Sequence, residues 1–290
     1  MVRFELSEPK SLSEACSLLA EYREKAKIIA GGQGLLPLLN HRQIAPNYLV
    51  NIKGLPDLEY IVSDGNGHVR IGALTTHRAI EFSPLIKKRY PLLAKMEQVL
   101  GCVQTRNWGT IVGNLCAASP TSDPAPVLIA LEAIVRVKSV RGERQIPLNE
   151  FFTDYLKTAL DPDEIVVEIQ IPQLPPHTGA AYHKECIRAT DSPIASVAVS
   201  VTLVEGLGTV GAARIALQAV GPTPLRAREA EEMLIGKKVQ HILVDEVAEV
   251  AAKKACPISD VYGSAEYKRE MVKVAARGAL IQAIKRAHVA

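Results

Sequence analysis

The chain contains 290 residues, enough to bury a sizeable core and to form two or three subdomains. Hydrophobic residues make up 48% and charged residues 22%, as in ordinary globular proteins, while a net charge of +3 and only 4% aromatic residues argue against a nucleic-acid-binding surface. The five cysteines are scattered without a CxxC pair, so we expect neither disulphides nor a metal cluster bound by this chain. No hydrophobic run is long enough to span a membrane, and no hydrophobic leader opens the chain. We therefore expect a cytoplasmic protein.

The first 55 residues predict a small βαβ-like unit. A short strand is expected at residues 4–6, and Ser11-Leu12-Ser13-Glu14 has the pattern of a capping box, which predicts that a helix begins there. A hydrophobic strand at residues 27–30 then runs into a glycine-rich loop and a short helix, and a strand at residues 48–52 closes the unit.

The glycine-rich loop, Gly31-Gly32-Gln33-Gly34, lies between a strand and a helix start. This order lets backbone N–H groups converge on a phosphate, because glycine permits positive φ and has no Cβ to block the approach. The loop lacks the third glycine of a Rossmann motif, since Pro37 stands there, and it lacks the Gly-Lys-Ser/Thr of a nucleotide triphosphate site. A tight turn that simply requires glycine is the alternative interpretation of the loop on its own.

Residues 56–174 predict a mixture of hairpins and helices. A hairpin is expected around Asp64-Gly65-Asn66-Gly67, and Thr75-Thr76-His77 provides caps for a following helix. Further helices are predicted at residues 91–100 and 127–132, separated by a second glycine loop at residues 109–114. The remaining elements in this part are a hairpin over residues 134–148 and a strand at 164–171 that ends at Pro172.

The last part of the chain begins with a proline-rich linker at residues 173–179. Its predicted strands cover residues 194–204 and 213–220, and its predicted helices cover 227–234, 242–254 and 265–288. Gly206-Leu207-Gly208-Thr209-Val210-Gly211 fits the GxGxxG pattern formally, but alternating hydrophobic runs on both sides favour a hairpin turn. The order of elements predicts an α+β fold.

No self-contained catalytic group is evident from the residues. We expect His77 to contact solvent or a backbone carbonyl, and Cys102 and Cys116 to be buried, unreactive thiols. Lys184 is expected to form a surface ion pair with a neighbouring acidic residue. Neither a nucleophile elbow nor a catalytic triad is present, so we assign no catalytic residue and no metal ligand.

Several motifs nevertheless match a known family in order and spacing over nearly the whole chain. The matching segments are Ile29-Ala30-Gly31-Gly32-Gln33-Gly34-Leu35-Leu36-Pro37, Ile71-Gly72-Ala73-Leu74-Thr75-Thr76-His77, Gly109-Thr110-Ile111-Val112-Gly113-Asn114-Leu115, Ser119-Pro120-Thr121-Ser122-Asp123, Thr158-Ala159-Leu160, Asp163-Glu164-Ile165 and Gly263-Ser264-Ala265-Glu266-Tyr267. With them the chain resembles the FAD-binding medium subunit of the molybdenum hydroxylases, the xanthine dehydrogenase and carbon monoxide dehydrogenase family.

The resemblance implies a PCMH-type FAD-binding domain of two α+β subdomains, residues 1–55 and 56–174, and a C-terminal domain of antiparallel sheet and helices, residues 175–290. It implies an oxidoreductase subunit that carries FAD and passes electrons from [2Fe–2S] clusters on a small subunit, fed by molybdopterin on a large subunit, to an external acceptor. A dimer of such heterotrimers is expected. The implied FAD contacts are Ile28, Ile29, Ala30, Gly31, Gly32, Gln33, Gly34, Leu35, Thr76, Leu100, Thr110, Ile111, Val112, Gly113, Asn114, Asp123, Val166 and Lys184.

Two positions depart from the family pattern: Val112 replaces a usual glycine, and Gly34 replaces a common Ser, Thr or Asp. Neither change removes the proposed loops. FAD is expected to be non-covalent, because no histidine or cysteine lies inside either loop. Two alternatives stay open at this point, a free-standing flavin oxidase of the same fold with its own substrate pocket, and a non-catalytic module whose loops are only turns.

Overall fold

The computed structural model describes residues 3–238 and 241–289. Its first unit is a three-stranded parallel sheet in the order β1-β3-β2, with a helix before and a helix after β2. The elements are β1 (Glu5–Ser7), α1 (Leu12–Tyr22), β2 (Ala26–Ile29), α2 (Leu35–Asn40) and β3 (Tyr48–Asn51). Because the sheet is parallel, β2 and β3 end at the same edge, where the first glycine loop begins.

The second unit is a five-stranded antiparallel sheet in the order β4-β5-β10-β6-β7, together with a set of short helices. Its strands are β4 (Ile61–Ser63), β5 (Val69–Gly72), β6 (Ile134–Ser139), β7 (Gly142–Pro147), β10 (Ile165–Ile171) and the separate small hairpin β8 (Phe152–Asp154) and β9 (Lys157–Thr158). Its helices are α3 (His77–Phe82), α4 (Pro84–Arg89), α5 (Pro91–Gln98), α6 (Val103–Trp108), α7 (Ile111–Cys116), α8 (Pro124–Ala130) and α9 (Leu148–Phe151).

The first two units share a core. Cys16 and Leu19 of α1 pack in one hydrophobic cluster with Ile165 and Val167 of β10. The opposite face of β10, with Ile169 and the helices of the second unit, belongs to a larger cluster. The units are therefore held together by continuous hydrophobic contact.

The C-terminal unit is a four-stranded antiparallel sheet in the order β11-β12-β13-β14, covered on one face by helices. Its elements are β11 (Thr178–Glu185), β12 (Ala195–Leu203), β13 (Val210–Gln218), β14 (Leu225–Arg226), α10 (Arg228–Leu234), α11 (His241–Lys254) and α12 (Ala265–Ala287). The other face contacts α8 of the second unit, so the sheet is buried on both sides. In the described part of the chain, no helix is both long enough and apolar enough to cross a membrane.

Most of the predicted elements are confirmed. Oγ of Ser11 accepts a hydrogen bond from the Glu14 N–H at 3.1 Å, although the Glu14 carboxylate reaches back one residue further, to the Lys10 N–H. The GxGxxG segment is the turn of the β12–β13 hairpin, in which Gly206 and Gly208 adopt φ of +71° and +62°. The mixed order of elements confirms the α+β class.

One expectation about local structure is wrong, and two short helices were not predicted. The second glycine loop is mostly helix, because Thr110 caps α7 and the helix continues through Gly113 although glycine is a poor helix former. The linker expected at residues 173–179 joins β10 to β11, which begins within its last two residues at Thr178. Helices α4 and α6 were not expected, because each has only six residues and no clear hydrophobic periodicity.

Candidate functional site

The two glycine segments lie against each other. A Cβ added at Gly31 would stand 2.7 Å from the carbonyl carbon of Trp108 and 3.0 Å from Cα of Gly109, with the Trp108 oxygen closer still. A Cβ at Gly34 would meet Cβ of Ala117 at 3.6 Å, which is ordinary contact. The first loop therefore packs backbone to backbone against the start of the second segment, and only glycine at position 31 allows that approach.

The first loop is open and shaped by one left-handed glycine. Gly32 has φ of +73°, and its carbonyl accepts the Leu36 N–H at 2.9 Å, which joins the loop to α2. The side chain of Gln33 donates weakly to the Gly31 carbonyl at 3.4 Å. Gln33 and Gly34 are exposed, so backbone groups of this loop can be reached from solvent.

The second segment is held by an isolated β-bridge to the residues that precede α3. The His77 N–H donates to the Gly109 carbonyl at 3.0 Å, and the Ile111 N–H donates to the Thr75 carbonyl at 3.2 Å, so Thr76 and Thr110 lie opposite each other.

Each of these two threonines caps a helix. Oγ1 of Thr76 accepts from the Ala79 N–H, and Oγ1 of Thr110 accepts from the Gly113 N–H. The adjacent Asn114 is oriented by Oγ of Ser122, which donates to its amide oxygen at 2.6 Å.

His77 is buried instead of contacting solvent or a carbonyl. Its Nδ1 lies 2.9 Å from Oε2 of Glu97, and neither side chain is accessible beyond 2%. Burial raises the pKa of Glu97, and the neighbouring His77 opposes that rise. Oε1 of Glu97 has no hydrogen-bond partner among the described residues. The ring of His77 also lies 3.2 Å from a Cβ placed at Gly109, so the His77–Glu97 pair packs against the second glycine segment.

Lys184 and Asp123 form a buried ion pair, which corrects the expectation of a surface pair for Lys184. Nζ of Lys184 donates to Oδ2 of Asp123 at 2.8 Å and to the Val99 carbonyl at 3.1 Å. The hydroxyl of Tyr182 donates to the other oxygen of Asp123. Burial raises the pKa of Asp123, while the charge of Lys184 opposes the rise. Through these bonds β11 of the C-terminal unit is joined to the start of α8.

The apolar residues expected near the flavin, Leu100 and Val166, are 5% and 3% exposed. The Leu100 carbonyl accepts from Arg106 and lies beside Val99, to which Lys184 is bonded, so Leu100 and Lys184 are brought together. Both Cys102 and Cys116 are exposed, contrary to expectation.

The sequence did not point to three residues that the structure places here. Glu97 and Tyr182 gave no signal, since their partners are distant in the chain. Trp108 could have been noticed as the single tryptophan directly before a glycine segment. Its indole is 54% exposed, and Nζ of Lys53 lies 3.6 Å from the ring centroid.

Comparisons with known proteins place the chain among FAD-binding subunits. The family profile described as the FAD binding domain in molybdopterin dehydrogenase matches residues 2–174, and the profile described as the CO dehydrogenase flavoprotein C-terminal domain matches residues 180–283. The chain is 37% identical to the 6-hydroxypseudooxynicotine dehydrogenase complex subunit alpha of Paenarthrobacter nicotinovorans, covering 96% of this chain and 93% of that protein. It is 35% identical to the carbon monoxide dehydrogenase medium chain of Hydrogenophaga pseudoflava, covering 93% of each.

Solved structures give the same result. Carbon monoxide dehydrogenase from Hydrogenophaga pseudoflava superposes with a TM-score of 0.94 at 37% identity, covering 98% of both chains. Quinoline 2-oxidoreductase from Pseudomonas putida 86 superposes with a TM-score of 0.91 at 29% identity, again covering 98% of both chains.

Proposed function

The chain belongs to the family of FAD-binding domains in molybdopterin dehydrogenases, and from that premise we propose that it is the FAD-carrying electron-transfer subunit of a heterotrimeric molybdenum hydroxylase. In this role it takes electrons from [2Fe–2S] clusters of a small partner subunit, fed by a large molybdopterin subunit, and delivers them to an external acceptor. Bound FAD supplies redox chemistry that can accept one electron at a time and release two. The observation that carries the proposal is the backbone contact between Gly31 and the Trp108–Gly109 peptide.

The backbone of the two segments suits a pyrophosphate. The first, residues 28–35, joins β2 to α2 through a loop with three glycines, of which Gly34 is exposed together with Gln33, and the second, residues 110–114, begins a helix. Backbone N–H groups at such places bind phosphate oxygens. We propose that the dinucleotide lies where these segments meet, in contact with Thr76 at the start of α3.

The flavin end of the proposed site is lined by buried groups. Leu100 and Val166 supply apolar surface. Lys184 carries three N–H donors, of which Asp123 and the Val99 carbonyl use two, so one donor stays available for a flavin oxygen. Asp123 likewise has acceptor capacity beyond its two present bonds. We also retain as a proposal the division of the chain at 1–55, 56–174 and 175–290.

The loop assignment is tested with Gly32→Asp. A carboxylate beside a phosphate costs about 1 kcal/mol in bulk water and about 4 kcal/mol near a protein surface, which corresponds to a loss of FAD affinity of at least about fivefold. Gly32→Asn is the matched control, since it places a neutral side chain of the same size at the same left-handed position beside Leu36. The visible flavin absorption of each purified protein, and FAD titration of the apoprotein, measure the effect. Full flavin content in Gly32→Asp would show that the loop is not the phosphate site.

The electron-transfer role is tested by co-expression with the genes that flank this one. We expect a small iron–sulphur subunit and a large molybdopterin subunit to co-purify with the chain, and the flavin to be reduced by substrate only in the assembled complex. Substrate turnover by the isolated chain would instead indicate the free-standing flavin oxidase.

A further inference from the structure

Trp108 and Lys53 form a contact between the first two units at the surface. Lys53 follows β3 of the first unit, and Trp108 ends α6 of the second, yet the ammonium nitrogen lies only 3.6 Å from the centroid of the indole. This distance is well within the range of cation–π attraction. Even with Lys53 in place, 54% of Trp108 is exposed, so a further planar group can reach the ring.

Both residues lie beside the crossing of the two glycine segments. The carbonyl of Trp108 is the group that Gly31 approaches, and the next residue is Gly109. In the first unit, Ile29 at the end of β2 pairs with Asn51 at the end of β3. Gly31 and Lys53 follow these two residues by two positions each, so both lie at the same edge of the sheet. The backbone of Lys53 is held there by Oδ1 of Asn51, which accepts its N–H at 3.1 Å.

Which end of the dinucleotide faces solvent can be inferred from which residues of the proposed site are buried. The residues proposed around the flavin ring, Leu100, Val166 and Lys184, are almost fully buried. A dinucleotide whose pyrophosphate lies at the crossing must therefore send its adenosine half toward the open side, where Gln33, Lys53 and Trp108 are exposed.

We propose that Trp108 and Lys53 form the adenosine-binding end of the site, with the indole stacking on the adenine ring and the ammonium lying beside the diphosphate. The inference rests on the function proposed above. Aromatic side chains stack readily on bases, and loss of one such contact weakens binding by roughly 5- to 150-fold. A cation near the diphosphate adds attraction that salt weakens.

The first experiment measures FAD affinity for apoprotein variants by flavin fluorescence. Trp108→Ala is expected to raise the FAD dissociation constant about tenfold, while Trp108→Phe, which keeps an aromatic face, changes it by no more than about threefold. Lys53→Met is expected to weaken binding and to reduce its dependence on salt. Wild-type affinity in Trp108→Ala, or an equal loss in the alanine and phenylalanine variants, would overturn the proposal.

The second experiment uses ADP as the probe and the fluorescence of Trp108, the single tryptophan, as the signal. ADP does not absorb at the wavelength of tryptophan emission, so a saturable change reports binding that alters the surroundings of Trp108, and its absence from a variant that still binds ADP would separate contact from a remote effect. We expect such a change in wild-type apoprotein and expect prior binding of FAD to abolish it. Absence of any change at saturating ADP would contradict adenine stacking, whereas a wild-type protein that binds no FAD would instead contradict the proposed function.

Discussion

Gly31→Ala is the sharpest test of the site, because the clash it creates is with backbone. A Cβ there stands 2.7 Å from the Trp108 carbonyl carbon, and ordinary contact begins near 3.4 Å, so that carbon has to retreat by about 0.7 Å and its oxygen by more. Neither atom can rotate away, since both belong to the peptide that leads into Gly109. The two segments must therefore separate.

Separation of the segments weakens the phosphate contacts that depend on their spacing. A hydrogen bond to a charged group contributes about 1.5–3 kcal/mol, so losing one lowers FAD affinity by roughly 10- to 150-fold. Gly54→Ala is the matched control, because a Cβ there meets nothing within 4 Å and Gly54 lies outside the proposed FAD site. Isothermal titration of both apoproteins with FAD measures the difference. Equal affinities for the Gly31→Ala, Gly54→Ala and wild-type proteins would refute the idea that FAD requires this contact.

Three further predictions concern buried charge. Burial alone raises the pKa of Glu168, but hydrogen bonds from Arg70 and Tyr60 lower that pKa by more. The ionised Glu168 therefore stabilises the fold fully above the ordinary carboxyl pKa, and this stabilisation is lost as the pH falls through the lowered pKa of the folded state. In urea unfolding, Glu168→Gln should therefore cost about 2–3 kcal/mol at pH 7, with the gap to wild type closing in acid; a gap that widens in acid contradicts this sign. Tyr182→Phe removes one donor to buried Asp123 and should cost about 1–3 kcal/mol in the same measurement, whereas no change would mean that water replaces the hydroxyl. Glu97→Ala should lower the free energy of unfolding by about 3–5 kcal/mol, because buried His77 loses its partner. Glu97→Gln should lower it by less, since the amide oxygen can still accept a hydrogen bond from His77. A larger loss in Glu97→Gln than in Glu97→Ala would exclude the pairing.

Local features were predictable because their signals lie within a few residues. Ser11 caps α1, Thr76 caps α3 and the turn at Gly206 joins two strands, each as its immediate neighbours indicate. The first glycine loop belongs to this class, since its strand, glycines and helix are contiguous.

The errors fall where the deciding partner is distant in the chain. Lys184 pairs with Asp123 across 61 positions, and His77 pairs with Glu97 across 20. No local pattern distinguishes a lysine on the surface from one that reaches a buried carboxylate. The exposure of Cys102 and Cys116 was likewise not predictable, because the neighbouring helices α6 and α7 are too short to reveal a buried face through periodicity.

By itself the sequence determined the α+β class, the order of most strands and helices, and the family. These could be predicted because hydrophobic alternation, helix caps and glycine motifs each involve residues that are close together in the chain. Only the tertiary structure decided that Gly31 meets Trp108, that His77 pairs with Glu97 and Lys184 with Asp123 in the interior, and that Lys53 covers the indole. The physical reason is that close backbone approach and desolvated charge pairs depend on which segments pack together, and that packing is a property of the folded chain as a whole.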